Sequence, residues 1–119
     1  HSTGDGIVAA LQVLAALRSS QESLSEACAD LVLYPQKLIN IRLSPGFDWA
    51  NDLNIRAAVK SAEASLAGTG RVLLRPSGTE PLLRVMVEGR DADVVADQAE
   101  AIASTIRRAM DRATLNEEA

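Results

Sequence analysis

Aromatic side chains are scarce. Only 3% of the 119 residues are Phe, Trp or Tyr, so a core must rest on Ala, Val, Leu and Ile and on many small contacts. Cysteine is nearly absent. The single Cys28 excludes an internal disulfide and a cysteine-clustered metal site, and it suits a reducing compartment such as the cytoplasm. Basic excess is also absent. A formal net charge of -4 is a poor start for a binder of nucleic acid or acidic membrane. No run reaches the roughly 18 apolar residues of a membrane span. No basic segment precedes an apolar stretch as in a secretory signal. There is no internal repeat and no low-complexity tract. What is present, 47% hydrophobic and 24% charged residues, reads as one globular domain.

The pattern from Thr3 to about Arg18 is helical, with apolar residues over most of the circumference, Ile7, Leu11 and Leu14 among them. A helix apolar nearly all round wants burial on more than one side, which hints at a missing neighbour. Ser19-Ser20 is expected to interrupt it, and Asp5 to sit at its start. Ser23 and Glu26 form a possible capping box for a short helix reaching about Asp30. Pro35 ends the helical region. Lys37 to Leu43 then reads as a strand. A helix follows, capped by Asn54 or Asp52, with the stripe Ile55, Ala58, Val59, Ala62 and Leu66. Gly68 lies where a left-handed residue is wanted after its end. The last helix starts at Asp91 and carries Val95, Ala99, Ile102, Ile106 and Ala109 on one face. The tail, 113–119, is expected to fray. The order strand, helix, strand, strand, helix predicts an α+β fold: a small, mostly antiparallel sheet with helices on one face, preceded by an N-terminal helical segment.

Chemistry concentrates in one stretch, Arg71 to Gly89. Two strand-like runs flank a loop of Ser77, Gly78 and Thr79, bracketed by Pro76 and Pro81. Arg75 and Arg84 stand at the strand ends facing it. Alternation places Val72 and Leu74 opposite in face to Arg71 and Arg75, and Leu83, Val85 and Val87 opposite to Arg84 and Glu88. Arginine forks, two hydroxyls and converging N–H groups suit a phosphate. A positive φ at Gly78 would help those groups converge. The plain alternative is a hairpin turn with solvated arginines. The loop is not a nucleotide P-loop, for it lacks Gly-Lys-Ser/Thr. Glu80 could hold Arg75 or Arg84 in position.

The remaining candidates favour bland readings. His1, at the chain start, is expected to be disordered. Cys28 reads as a small buried apolar residue. Trp49 reads as cover for a core edge. Asp91, Asp93 and Asp97 read as a solvated helix start.

The full string Arg75, Ser77, Gly78, Thr79, Glu80, Pro81 and Arg84 resembles the C-terminal signature of the α-D-phosphohexomutases. Thr3-Gly4-Asp5-Gly6 with its helix, and Tyr34-Pro35-Gln36-Lys37, are similar to the end of the third domain and the start of the fourth in the branch that acts on glucosamine. The resemblance implies that residues 1–33 are a helical remnant of the third domain plus linker, and that 34–112 form the phosphate-binding fourth domain. It implies an interconversion of glucosamine 6-phosphate and glucosamine 1-phosphate by way of an active-site phosphoserine and a bisphosphorylated sugar, with Mg2+ assisting. Arg75, Ser77, Gly78, Thr79 and Arg84 would hold the sugar phosphate, with Glu80 supporting or contacting the sugar, and sugar stacking is the alternative role for Trp49.

No nucleophile segment, multi-aspartate metal run or sugar loop of the earlier domains is present. The chain therefore reads as a fragment with no catalytic residue and no metal ligands of its own. Thr3-Gly4-Asp5-Gly6 has one carboxylate and is no metal site. The same domain from the glucose or mannose branch, and a non-enzymatic binding module, are the alternatives. Nucleic acid and membrane are not expected partners. A homodimer or a swapped N-terminal helix is possible through exposed apolar faces.

Overall fold

A computed structural model describes residues 4–117. The chain divides into two compact units, His1–Leu33 and Tyr34–Ala119. In the first unit, Asp5 does start the helix. Its carboxylate accepts from the N–H groups of Ile7 and Val8 at 3.0 and 3.1 Å. Helix α1 (Gly6–Ser20) runs through the serine pair rather than stopping before it. The Ser20 hydroxyl donates back to the Leu17 carbonyl at 3.3 Å, so it is satisfied within the helix rather than in a competing turn. The helix ends at Gln21, in the left-handed region at φ 60. The expected start at Thr3 and the reading of His1 lie outside the described residues.

The capping box forms. The Glu26 N–H donates to the Ser23 hydroxyl at 3.2 Å, and the Glu26 carboxylate accepts from the Ser23 N–H and hydroxyl at 2.8 and 2.6 Å. Those two donors, the hydroxyl first, hold the Glu26 carboxyl below the usual glutamate range. Helix α2 (Leu24–Ala27) is shorter than expected, and turns carry the chain past Cys28. No residue of α1 or α2 is buried. Cys28 is exposed, which corrects the expectation that it would be a buried apolar residue. A cysteine buries itself only where a second layer exists to cover it, and nothing within this unit does so.

The second unit holds β1 (Gln36–Arg42), α3 (Leu53–Ser65), β2 (Arg71–Pro76), β3 (Leu82–Glu88) and α4 (Ala92–Glu117). The sheet is antiparallel with order β1-β3-β2, so the last strand made is the central one. Asp52, not Asn54, caps α3, accepting from Asn54 and Ile55 at 2.8 and 2.9 Å. The chain leaves α3 through Ala67 and Gly68 at φ 47 and 73; left-handed backbone suits the glycine well. Asp91 accepts from the N–H groups of Asp93 and Val94 at the start of α4. Helix α4 reaches Glu117 rather than fraying from residue 113. Residues 113–117 hold no Gly or Pro, and the Thr114 hydroxyl bonds back to the Met110 carbonyl at 3.1 Å.

The two helices cover one sheet face. Leu83, Val85 and Val87 of β3 are fully buried against Ile55 and Ala62 of α3 and the α4 stripe Val95, Ala99, Ile102 and Ile106. Trp49 packs against this core as expected of a core-edge cover. Two glycines let the strand ends close together. A Cβ at Gly70 would collide with the Glu88 carbonyl oxygen and press on Leu66, so this position admits no side chain without a backbone shift. At the same end, the Gly89 N–H donates to the Pro35 carbonyl at 3.1 Å. Arg90 donates to the Tyr34 hydroxyl at 3.2 Å, and its guanidinium lies 6.0 Å from the ring centroid. The hydroxyl contact pushes the already high Arg90 pKa further up.

Candidate functional site

The two helices of this unit leave the sheet's other face open. In an antiparallel ladder, directly opposed residues point to the same side. The register therefore sets three rows across the open face: Gln36–Glu88–Arg71, Leu38–Met86–Leu73 and Asn40–Arg84–Arg75. The alternation read from sequence places the arginines on this face correctly. The middle row was less legible. Met86 is only 8% exposed because Leu38 and Leu73 flank it, themselves 53% and 48% exposed.

Arg75 and Arg84 are direct cross-strand partners. Like charges facing each other in a sheet are destabilising. The described residues form two ion pairs, Arg71–Glu88 at 3.2 Å and Arg107–Glu100 at 3.8 Å. Neither neutralises Arg75 or Arg84. Glu80 is exposed and makes no ion pair with either arginine, so it does not hold them in position.

Ser77 to Pro81 connects β2 to β3 at the arginine end of the sheet. Three backbone bonds fix its ends. Ser77 N–H donates to the Leu82 carbonyl at 2.8 Å, Leu82 N–H to the Glu80 carbonyl at 2.7 Å, and Leu43 N–H to the Pro81 carbonyl at 2.8 Å. The Ser77 N–H is therefore spent within the hairpin, and Ser77 can offer a ligand only its hydroxyl. The N–H groups of Gly78 and Thr79 have no such partner among the described residues. Gly78 does not adopt a positive φ, which corrects the expectation from sequence. Its absent side chain opens space instead, for a Cβ there would meet nothing within 4 Å. The tip thus presents two donors, two hydroxyls and an unobstructed approach beside two arginines.

Sequence reasoning missed Arg42. It is exposed and pairs with Leu82, one row beyond Arg84 toward the loop. Its place follows only from the pairing of β1 with β3, which no local pattern announces. Trp49 packs against the core beneath the opposite face and does not join the loop. No group of three or more His, Cys, Asp or Glu side chains that could hold a metal ion occurs among the described residues. No described helix is long and apolar enough to cross a membrane.

An antiparallel sheet with a helix layer on one face and an arginine-flanked Ser-Gly-Thr loop at one end defines a class. A family model for the C-terminal domain of phosphoglucomutase/phosphomannomutase matches residues 38–105, and the chain belongs to that family. The model for the family's α/β/α domain III matches residues 1–34.

More particular likenesses follow. The phosphoglucosamine mutase of Azoarcus sp. (strain BH72) is 62% identical over 110 residues, and that of Ralstonia pickettii (strain 12J) is 56% identical over 107. These alignments span 92% and 90% of this chain but 24% of each relative. The chain thus covers about a quarter of the length of the curated relatives it matches. Among solved structures, Aspergillus fumigatus N-acetylphosphoglucosamine mutase in complex with GlcNAc-6P and magnesium is similar at a TM-score of 0.70. It is 25% identical, over 90% of this chain and 22% of its own.

Proposed function

We propose that this chain is the phosphate-gripping C-terminal part of a phosphoglucosamine mutase, which interconverts glucosamine 6-phosphate and glucosamine 1-phosphate. The observation that carries the site is the Arg75–Arg84 pair, facing without a carboxylate beside an open loop. A sugar phosphate brings the negative charge that the pair lacks. Arg75 and Arg84 bind its oxygens, Gly78 and Thr79 donate backbone N–H groups, and Ser77 and Thr79 add hydroxyls. Glu80 is left to contact the sugar. Each hydrogen bond to the charged group contributes roughly 1.5–3 kcal/mol. The choice of glucosamine rests on the high identity to phosphoglucosamine mutases over nearly the whole chain.

The domain organisation follows the same reading. Residues 1–33 end the third domain, in line with the domain III match, and 34–112 form the fourth. In this reading the phosphoserine and the ligands for Mg2+ belong to the rest of the parent. When bound there, Mg2+ would offset charge on the transferred phosphoryl group. In the chain alone, the exposed apolar residues Ile7, Leu11 and Leu14 invite cover by a second copy or a swapped helix. A cytoplasmic setting suits the exposed free cysteine.

The test is a titration of the isotope-labelled chain with glucosamine 6-phosphate, with unphosphorylated glucosamine as control. Saturable amide shifts at Gly78 and Thr79 with the phosphate alone are expected. Arg84→Ala should weaken that binding by about 1.5–3 kcal/mol and leave the fold intact. Absence of shifts in both the chain and its full-length parent would refute the phosphate role. Relative turnover of the parent on glucosamine, glucose and mannose phosphates tests the sugar.

A further inference from the structure

A second feature lies at the β2 edge of the sheet, on the helix side. Among the described residues β2 pairs on one side only. The Ser77 N–H to Leu82 carbonyl bond, together with the register, places Ser77, Arg75, Leu73 and Arg71 at the positions bonded to β3. In an antiparallel ladder the alternate residues then point their backbone groups outward. Val72 and Leu74 therefore offer N–H and C=O to the free edge, and Pro76 offers only C=O. A groove of about 600 Å³ adjoins this edge, floored by Trp49, Ile55, Val59 and Leu74, with Arg56 and Lys60 on its rim. Glu63 is the one acid there. Neither Arg56 nor Lys60 forms an ion pair among the described residues.

An exposed edge beside an apolar slot is the arrangement that takes an added strand: the backbone supplies hydrogen bonds and the slot selects a side chain. A second copy of β2 fits badly. Antiparallel self-pairing centred on Leu73 would set Arg71 against Arg75, and pairing centred on Leu74 would use Pro76, which has no N–H. Arg75, which forms no ion pair among the described residues, and Arg56 and Lys60 on the rim favour a strand carrying acids. Tyr34 leads into β1, at the opposite edge of the sheet.

We infer that the β2 edge and the Trp49 groove together form a docking site for an extended acidic segment of a separate protein. Apolar residues of that segment enter the groove on the helix side, where Arg56 and Lys60 attract its negative charge, and the alternate residues lie on the open face, an acid opposite Arg75. The inference shares Arg75 with the phosphate-binding reading, but its test reads Trp49, Val72, Leu74 and Lys60, so the two readings fail separately.

The probe is a blocked peptide with Glu-Val-Leu-Val-Glu at its centre, titrated into the whole chain. Trp49 is the only tryptophan and reports occupancy by fluorescence. A saturable change is expected, with slowed amide exchange at Val72 and Leu74 but not at Leu38 and Asn40 on the β1 edge. Lys60→Glu, an exposed change, should weaken binding by about tenfold or more, as expected for loss of charge complementarity at a partly desolvated rim. The matching peptide with lysines in place of glutamates should bind at least as weakly. No saturation at millimolar peptide, equal binding of the lysine peptide, or protection at Leu38 and Asn40 would overturn the proposal. So would binding to this chain that vanishes in the full-length parent, which would assign the groove to the parent's own chain.

Discussion

Arg75 and Arg84 bring two positive charges together where a sheet would ordinarily place opposite charges. Reversing one of them separates its two effects. Arg75→Glu should create a cross-strand ion pair with Arg84 and raise stability by about 0.2–1 kcal/mol, while removing affinity for sugar phosphate. Denaturant midpoints and a phosphate titration on the same variant check both halves. A lower midpoint would show that repulsion between the arginines is not being relieved. At this scale the sequence was informative about side-chain type and poor about backbone. The residues of the loop could be named, but not that the Ser77 N–H is consumed by the Leu82 carbonyl. Nor could it be seen that Gly78 leaves open space around it rather than taking a left-handed φ.

The helices and strands were more legible, because period and caps are local properties. Every residue of the stripe Val95, Ala99, Ile102, Ile106 and Ala109 is buried, and Asp5, Asp52 and Asp91 each cap a helix. The misreadings came at element ends and in α1 and α2. There, Ser20 and Thr114 satisfy their hydroxyls within helices that run past the expected stops, and no layer within the unit covers Cys28. The core stripe makes a quantitative prediction. Ile106→Ala removes a fully buried side chain and should cost about 2–5 kcal/mol in chemical denaturation.

The cap of α2 predicts a pH effect. The Glu26 carboxyl titrates lower when folded, so its contribution is complete above the ordinary glutamate pKa of about 4.3. It disappears as the pH falls through the lower folded value. An NMR titration should show Glu26 protonating below the ordinary glutamate range, with the Ser23–Glu26 box opening at the same pH.

At the scale of the molecule, the two units differ in self-sufficiency. Tyr34–Ala119 has its own buried core, while α1 and α2 bury nothing. A chain spanning a quarter of its relatives' length accordingly contains one unit that supplies its own interior and one that does not. Strand order has a further consequence for the timing of synthesis. The strands β1 and β2 never touch as neighbours; each waits for β3. Since a ribosome emits the chain from its N-terminus, no sheet nucleus can form until Glu88 is clear of the exit tunnel. Nascent chains arrested before Leu82 should stay protease-sensitive throughout 36–76, whereas arrest late enough to free α4 should confer resistance in a single step.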